Sequence, residues 1–251
     1  MNDALPLAVE TPVELLANGE RIAVLMCTPL NLDDLAAGHL FTRGMLTDAS
    51  RIRSIIVRGD MSGIDVLAPG AILEDRFGLG RVIASGCGSG SPVADAARLG
   101  TLPGGFSIQL ETLKVWSGAM FKAAELYRKT GGMHCAALAL PMGSASMEDP
   151  PEGASYFVVR EDVGRHNAVD KVIGRAFLDK IDFSSACILT SGRIAADMIL
   201  KAVASRVPVI VSRSIPTTTA FEIAREAGVT MVGRIGDDHP IVYTNPERIR
   251  L

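Results

Sequence analysis

Two kinds of residue in this chain have the type and the placement to do chemistry: a recurrent arginine and an isolated cysteine. Arg165, Arg193, Arg213 and Arg234 each stand in a polar or glycine-bearing loop that follows an apolar run. Those runs, Tyr156 to Arg160, Ala186 to Thr190, Val207 to Val211 and Thr230 to Val232, read as buried strands. Where such strands alternate with helices, the loops gather beyond the strands' carboxyl ends, and ligands bind there. Guanidinium forks match phosphate oxygens, and helix amino-termini add unpaired N–H groups at the same edge. A phosphate-bearing ligand is therefore expected. The plainer alternative makes these arginines surface residues paired with Asp162, Asp197, Glu222 and Asp237. It accounts for any one of them more easily than for the set.

The cysteine is Cys87, within Ala84-Ser-Gly-Cys-Gly-Ser-Gly-Ser-Pro92. No bulky neighbour buries it, and glycines let a partner approach the sulfur closely, as a group-carrying thiol requires. An incidental loop cysteine is the alternative. The stretch is nearly uncharged until Asp95 and Arg98, so nothing in it marks a lowered thiol pKa. Cys27, Cys135 and Cys187 sit in apolar strand text and read as small core residues. The four cysteines show no paired spacing, which argues against both a disulfide framework and a Cys-x-x-Cys zinc site.

The elements that must position these groups are legible in part. In Glu161 to Gly174, Asn167 is placed to cap a helix, with Asp170 in the capping-box position. Val169, Val172, Ile173, Ala176 and Phe177 then share one helical face. Similar units follow, with Ile194, Met198, Ile199 and Ala202 on the inner side of the next helix and a further helix from about Thr219 to Ala227. Alternation of this kind argues for a parallel sheet. Upstream, one long helix is expected from about Gln109 to Lys129, burying Leu113, Trp116, Met120, Ala123, Ala124 and Tyr127, before a strand at Cys135 to Leu140. For residues 107–251 this layout suggests a cytidine-deaminase-like three-layer α/β sandwich.

Residues 1–68 read as a smaller α+β part. It has a hairpin turn at Asn18-Gly19, a helix capped by Asn31 with Leu32, Leu35, Ala36 and Leu40 on one face, and a second hairpin around Gly59 to Gly63. His39 on that helix reads as a packing or surface residue. Residues 69–106, rich in Gly, Ser and Pro, read as a flexible loop that carries Cys87. The formal net charge of −3 argues against a general nucleic-acid binder, whose footprint is basic. No apolar run is long enough to span a membrane and the start is not a signal peptide, so a cytoplasmic location is expected. A zinc deaminase would share the fold but needs a Cys-x-x-Cys pair and a catalytic Glu. No such pair exists here. No Walker or GxGxxG pattern follows a strand, which leaves an ordinary nucleotide-dependent enzyme without support.

The order of short motifs then resembles one family over nearly the whole chain. The pieces are Glu10-Thr-Pro-Val-Glu14 with Asn18-Gly19, Thr28-Pro29 with Leu35-Ala-Ala-Gly-His-Leu40, the Cys87 loop, and Gly132-Met-His-Cys-Ala-Ala137. Glu161-Asp-Val-Gly-Arg-His-Asn-Ala-Val-Asp-Lys171, Thr190-Ser-Gly-Arg193, Val209-Ile-Val-Ser-Arg-Ser214 with Pro216-Thr217, and Val232-Gly233 through Tyr243-Thr244 complete it. Of these the Glu161 to Lys171 run is the most specific. The chain resembles the formate dehydrogenase accessory sulfurtransferases, the FdhD family.

That resemblance implies a sulfur carrier. A cysteine desulfurase would load a persulfide onto Cys87, and the sulfur would pass to the molybdenum of a bis-guanine-dinucleotide cofactor before its insertion into formate dehydrogenase. A cofactor-binding chaperone without sulfur transfer is the alternative. Arg165, Arg193 and Arg213 would hold the diphosphates, in loops that also offer His166, Asn167, Ser191 and Ser212. The family's nucleotide-contacting segment falls on Arg234, Ile235, Gly236, Asp237, Asp238 and His239. His134 and His166 are the candidates for proton transfer, and the family suggests a homodimer. Two departures stand out. Many members carry Cys-x-x-Cys in the loop, where this chain has Gly90, and the segment after Val-Gly usually reads aromatic-x-Arg, where this chain has Arg234-Ile235-Gly236.

Overall fold

The computed structural model describes residues 7–75, 100–142 and 150–251. Cys87 and most of the 69–106 segment lie outside them. Asn18 and Gly19 take positive φ values of 53° and 81°, as a two-residue hairpin turn requires. They join β1 (Thr11–Ala17) to β2 (Glu20–Cys27) antiparallel. β3 (Ser54–Val57) and β4 (Gly63–Leu67) form the second expected hairpin. β4 lies parallel to β1, which gives a four-stranded sheet in the order β2-β1-β4-β3.

The helix α1 (Leu32–Thr42) covers this sheet and buries Leu32, Leu35, Ala36 and Leu40. Its start differs from the expected cap. Asn31 adopts a left-handed backbone, φ 52°, and its side chain makes no capping bond.

After a two-stranded pairing of β5 (Ile108–Gln109) with the carboxyl-terminal β12 (Ile249–Arg250), the expected long helix divides in two. α2 (Leu110–Ala123) and α3 (Glu125–Thr130) break at Ala124, where ψ is 86°. The break frees amide groups at the head of α3, and the Glu161 carboxylate accepts from Leu126 N (3.1 Å) and Tyr127 N (2.6 Å). Leu113, Trp116, Met120 and Ala124 are buried as expected, whereas Ala123 is exposed because the break turns it outward.

The main sheet comprises β6 (His134–Pro141), β7 (Ala154–Asp162), β8 (Cys187–Thr190), β9 (Val209–Ser212), β10 (Thr230–Gly233) and β11 (Ile241–Thr244). Its order is β11-β10-β9-β8-β6-β7. Only β8, β9 and β10 are mutually parallel neighbours. The expected co-directional run is found in β7, β8, β9 and β10, but the sheet is mixed, because β6 pairs antiparallel with both β7 and β8 and β11 pairs antiparallel with β10. Alternating side chains divide between two cores. Cys135, Ala137, Ala139, Leu189, Val209 and Val211 pack with Leu113, Trp116 and Met120 of α2. Ala136, Leu138, Leu140, Ile188 and Ile210 face α4 (Arg165–Leu178), α5 (Ala196–Ala204) and α6 (Thr218–Ala227). Helices on both faces of one sheet make the three-layer sandwich. The second core runs on without interruption into α1 and β1, joining Val172 and Ile173 to Leu35, Val13 and Leu15. Among the described residues no helix is long and apolar enough to cross a membrane.

Candidate functional site

β7, β8, β9 and β10 run in one direction, so Arg165, Arg193, Arg213 and Arg234 do emerge along a single edge. β6 runs the other way and presents its first residue, His134, at that same edge. Two of the four proposed ion-pair partners of the arginines are engaged elsewhere. Asp162 is fully buried against Lys171 at 2.7 Å, and Asp197 meets His166 Nε2 at 3.0 Å. Arg234 reaches Asp237 only at 3.9 Å. Arg165, Arg193 and Arg213 have no ion pair among the described residues. Charges left without partners at a strand edge suit an anionic ligand.

The loops that carry them are braced from within. Thr190 Oγ1 accepts from Gly192 N (3.1 Å). Ser212 is buried, donating through Oγ to Gly192 O (2.7 Å) and accepting from Ser214 N (2.9 Å). Arg234 N and Ile235 N donate to Ser214 O and Ser212 O, tying the β10 loop to the β9 loop. Ser191 Oγ accepts from Cys135 N (3.0 Å) and lies 3.2 Å from His134 Nδ1. Ser191 and Ser212, expected among the ligand contacts, also hold their loops in place.

Asn167 departs furthest from expectation. α4 starts at Arg165, with Gly164 at the cap position and no side-chain cap. Asn167 lies inside the first turn, where its Nδ2 donates to Met26 O (2.7 Å) and Asp162 Oδ1 (3.0 Å). It points to β2, tying the α4 loop to the amino-terminal sheet. The same junction is held by Lys171 Nζ, which donates to Thr28 O (3.0 Å) and Glu161 O (3.2 Å).

A cavity of about 420 Å³ opens between α2 and the β9 and β10 loops. Lys114, Ser117, Gly118 and Phe121 line one wall, and Arg213, Ile235, Gly236, Asp237 and Asp238 the other. The Arg213 guanidinium lies 5.4 Å from the centroid of the Phe121 ring. This brings together Arg213 and the 235–238 segment. Arg165, His166 and Ser191 cluster instead at the head of α4, Arg193 is exposed, and His239 is exposed beyond the cavity. The α2 wall was not anticipated. Lys114, Gly118 and Phe121 follow helical spacing on the face flanking the buried stripe, but periodicity alone does not say what such a face meets.

Of the cysteines, Cys27, Cys135 and Cys187 are buried and free. Burial pushes the Cys27 thiol up to about 11 and the Cys135 thiol up to about 12, and it raises Cys187 also. Thiols so raised carry almost no thiolate near neutral pH.

Comparison with known proteins shows the family and the fold. The FdhD/NarQ family matches residues 8–250. The chain is 32% identical over 247 residues to the sulfur carrier protein FdhD of Geobacillus kaustophilus, covering 97% of this chain and 89% of that one. It is 32% identical over 245 residues to the sulfur carrier protein FdhD of Staphylococcus aureus, covering 96% and 88%. Among solved structures, a protein from Desulfotalea psychrophila described as a candidate formate dehydrogenase accessory protein superimposes with a TM-score of 0.75. The two are 26% identical, and the match covers 97% of this chain and 90% of that one.

Proposed function

Since the chain belongs to the FdhD/NarQ family, we propose that it is the sulfur carrier that serves formate dehydrogenase, with Cys87 as the sulfur-bearing residue. The observation that carries this reading is the burial of every other cysteine. Cys27, Cys135 and Cys187 are enclosed, with thiols raised well above the working pH, which leaves Cys87 as the thiol able to act as nucleophile.

Loading is then a persulfide exchange. The Cys87 thiolate attacks the outer sulfur of a persulfide on a cysteine desulfurase. The donor's S–S bond breaks with its electron pair going to the donor thiolate, and a new S–S bond forms on Cys87. On delivery the outer sulfur leaves, the bonding pair returns to Cys87 as thiolate, and the acceptor supplies the two electrons that make the sulfur a sulfido ligand. A reduced molybdenum centre can supply them. One cysteine suffices for both steps, so Gly90 at the second position of the family's pair does not prevent the cycle.

The cargo in this reading is the molybdenum bis-guanine-dinucleotide cofactor, and the cavity beside α2 has a fitting donor set. The Arg213 guanidinium over the Phe121 ring offers a flat surface for a base. Asp237 and Asp238 offer carboxylates to the N–H donors that distinguish guanine, while Arg213 and Lys114 suit its phosphates. Delivery to formate dehydrogenase would follow, from a homodimer in the cytoplasm if the chain behaves as the family suggests.

The test is intact-mass spectrometry after incubation with a cysteine desulfurase and cysteine. Wild type should gain one sulfur and Cys87→Ala none. Absence of any gain in wild type, with guanosine diphosphate still bound, would favour a cofactor chaperone that transfers no sulfur. The cavity by itself is the observation that supports that second reading.

A further inference from the structure

The head of α4 carries a cluster that the cavity beside α2 does not use. Arg165 lays its aliphatic stem across Gly192, where a Cβ would come 2.8 Å from Arg165 Cβ and 3.0 Å from its Cδ. Its Nε is buried with no hydrogen-bond partner. A buried guanidinium N–H is costly to leave unmade and is seldom left so without reason.

Next to it, Ser191 fixes the neighbouring imidazole. Its hydroxyl accepts the Cys135 N–H and lies 3.2 Å from His134 Nδ1, which holds the ring in place. The other ring nitrogen, Nε2, has no protein partner among the described residues, and it donates to an anion in the tautomer that takes the Ser191 proton at Nδ1. Burial, together with the positive charges of Arg165 and His166, holds His134 below the usual imidazole range.

Two acids lie nearby, Asp197 close enough to act on Arg165 and Asp162 on His134, but each has a cationic partner of its own. Asp197 is taken by His166 and Asp162 by Lys171. No side chain caps α4, so the N–H groups of its first turn face the same edge.

We propose that Arg165 and His134, the latter oriented by Ser191, form a subsite for a phosphoryl oxyanion that is separate from the cavity lined by Arg213 and Lys114. The idea rests on the phosphate-bearing cargo proposed above and supplies it with a second anchoring point. A ligand with two well-separated diphosphates would be held at both ends of the β8 to β10 edge. Free phosphate presents the same chemistry, so the experiment separates the two sources.

The measurement is histidine-selective NMR on the full chain. The chain has four histidines, so single His→Gln variants assign every imidazole signal. Inorganic pyrophosphate should shift the His134 signal in wild type, and should still do so when guanosine diphosphate saturates the cavity. Arg165→Gln should weaken that response roughly tenfold or more, and Arg165→Lys should restore part of it, since charge remains but the fork is lost. Lys114→Gln and Arg213→Gln should leave it intact. The subsite is refuted if pyrophosphate does not move His134, or moves it equally in Arg165→Gln. It is refuted also if guanosine diphosphate alone abolishes the response, because one site would then serve both ligands. Loss of guanosine diphosphate binding in Arg213→Gln is read separately and bears on the cavity. Its failure would count against the cofactor reading and not against this subsite.

Discussion

Gly38 of α1 and Gly174 of α4 let the two helices touch backbone to backbone. A Cβ on Gly38 would fall 1.8 Å from the Asp170 carbonyl oxygen, and one on Gly174 would fall 1.9 Å from that of Asp34. Neither obstacle is a flexible side chain, so only separation of the helices could relieve the clash. Gly38→Ala or Gly174→Ala should therefore destabilise the protein by about 1–3 kcal/mol or more. Urea titration followed by circular dichroism checks this, and an unchanged midpoint in both variants would contradict the crossing.

Lys171 and Asp162, both fully buried, close the junction between α4, β7 and the end of β2. Lys171→Met leaves the Asp162 carboxylate enclosed without its counter-charge, which should cost about 3–5 kcal/mol. A Lys171→Met, Asp162→Asn double variant should recover much of that loss. Thermal unfolding of the three variants gives the comparison.

His39 is buried beside Asp170, whose carboxylate also takes Lys201 Nζ (2.6 Å) and Thr42 Oγ1 (3.0 Å). Burial holds His39 below the usual imidazole range, so it is neutral in the fold. In the unfolded chain it takes up a proton near pH 6.5. The contribution is thus complete above about pH 6.5 and is lost as pH falls from there toward the depressed folded value. Unfolding free energy measured by urea between pH 7.5 and pH 5.5 should decline, and His39→Gln should flatten that decline. His134 is shifted in the same direction, so the flattening is partial.

Arg213 and Phe121 meet over the cavity at 5.4 Å. Arg213→Gln should weaken guanosine diphosphate binding roughly tenfold or more, and Phe121→Ala should weaken it by a smaller factor. Calorimetric titration reads both. Equal affinity in all three proteins would move the nucleotide away from this cavity.

Native thiol labelling offers a quick check on the carrier residue. With Cys27, Cys135 and Cys187 enclosed, a maleimide should modify one thiol per chain, and Cys87→Ala should take none. Four reactive thiols should appear only after unfolding. Rapid native labelling of Cys135 would undercut the assignment.

Local chemistry in the sequence determined a good deal. Apolar runs and their following loops placed Arg165, Arg193, Arg213 and Arg234 at strand ends, because strand burial and turn formation depend on near neighbours. Asn18-Gly19 specified its hairpin for the same reason, as few other pairs accept two positive φ angles. The core assignment of Cys27, Cys135 and Cys187 followed from their apolar surroundings.

Partners distant in the chain were decided only by the tertiary structure. The insertion of β6 between β7 and β8, against their direction, sets His134 beside Ser191, 57 positions away. The packing of α2 on the sheet brings Phe121 and Lys114 to Arg213. Asn167 has the chemistry of a helix cap, yet it is drawn to Met26, 141 positions distant, because α4 starts three residues earlier than its side chain suggests. Such pairings arise where one buried face meets another, and periodicity along a single segment marks the face without naming what covers it.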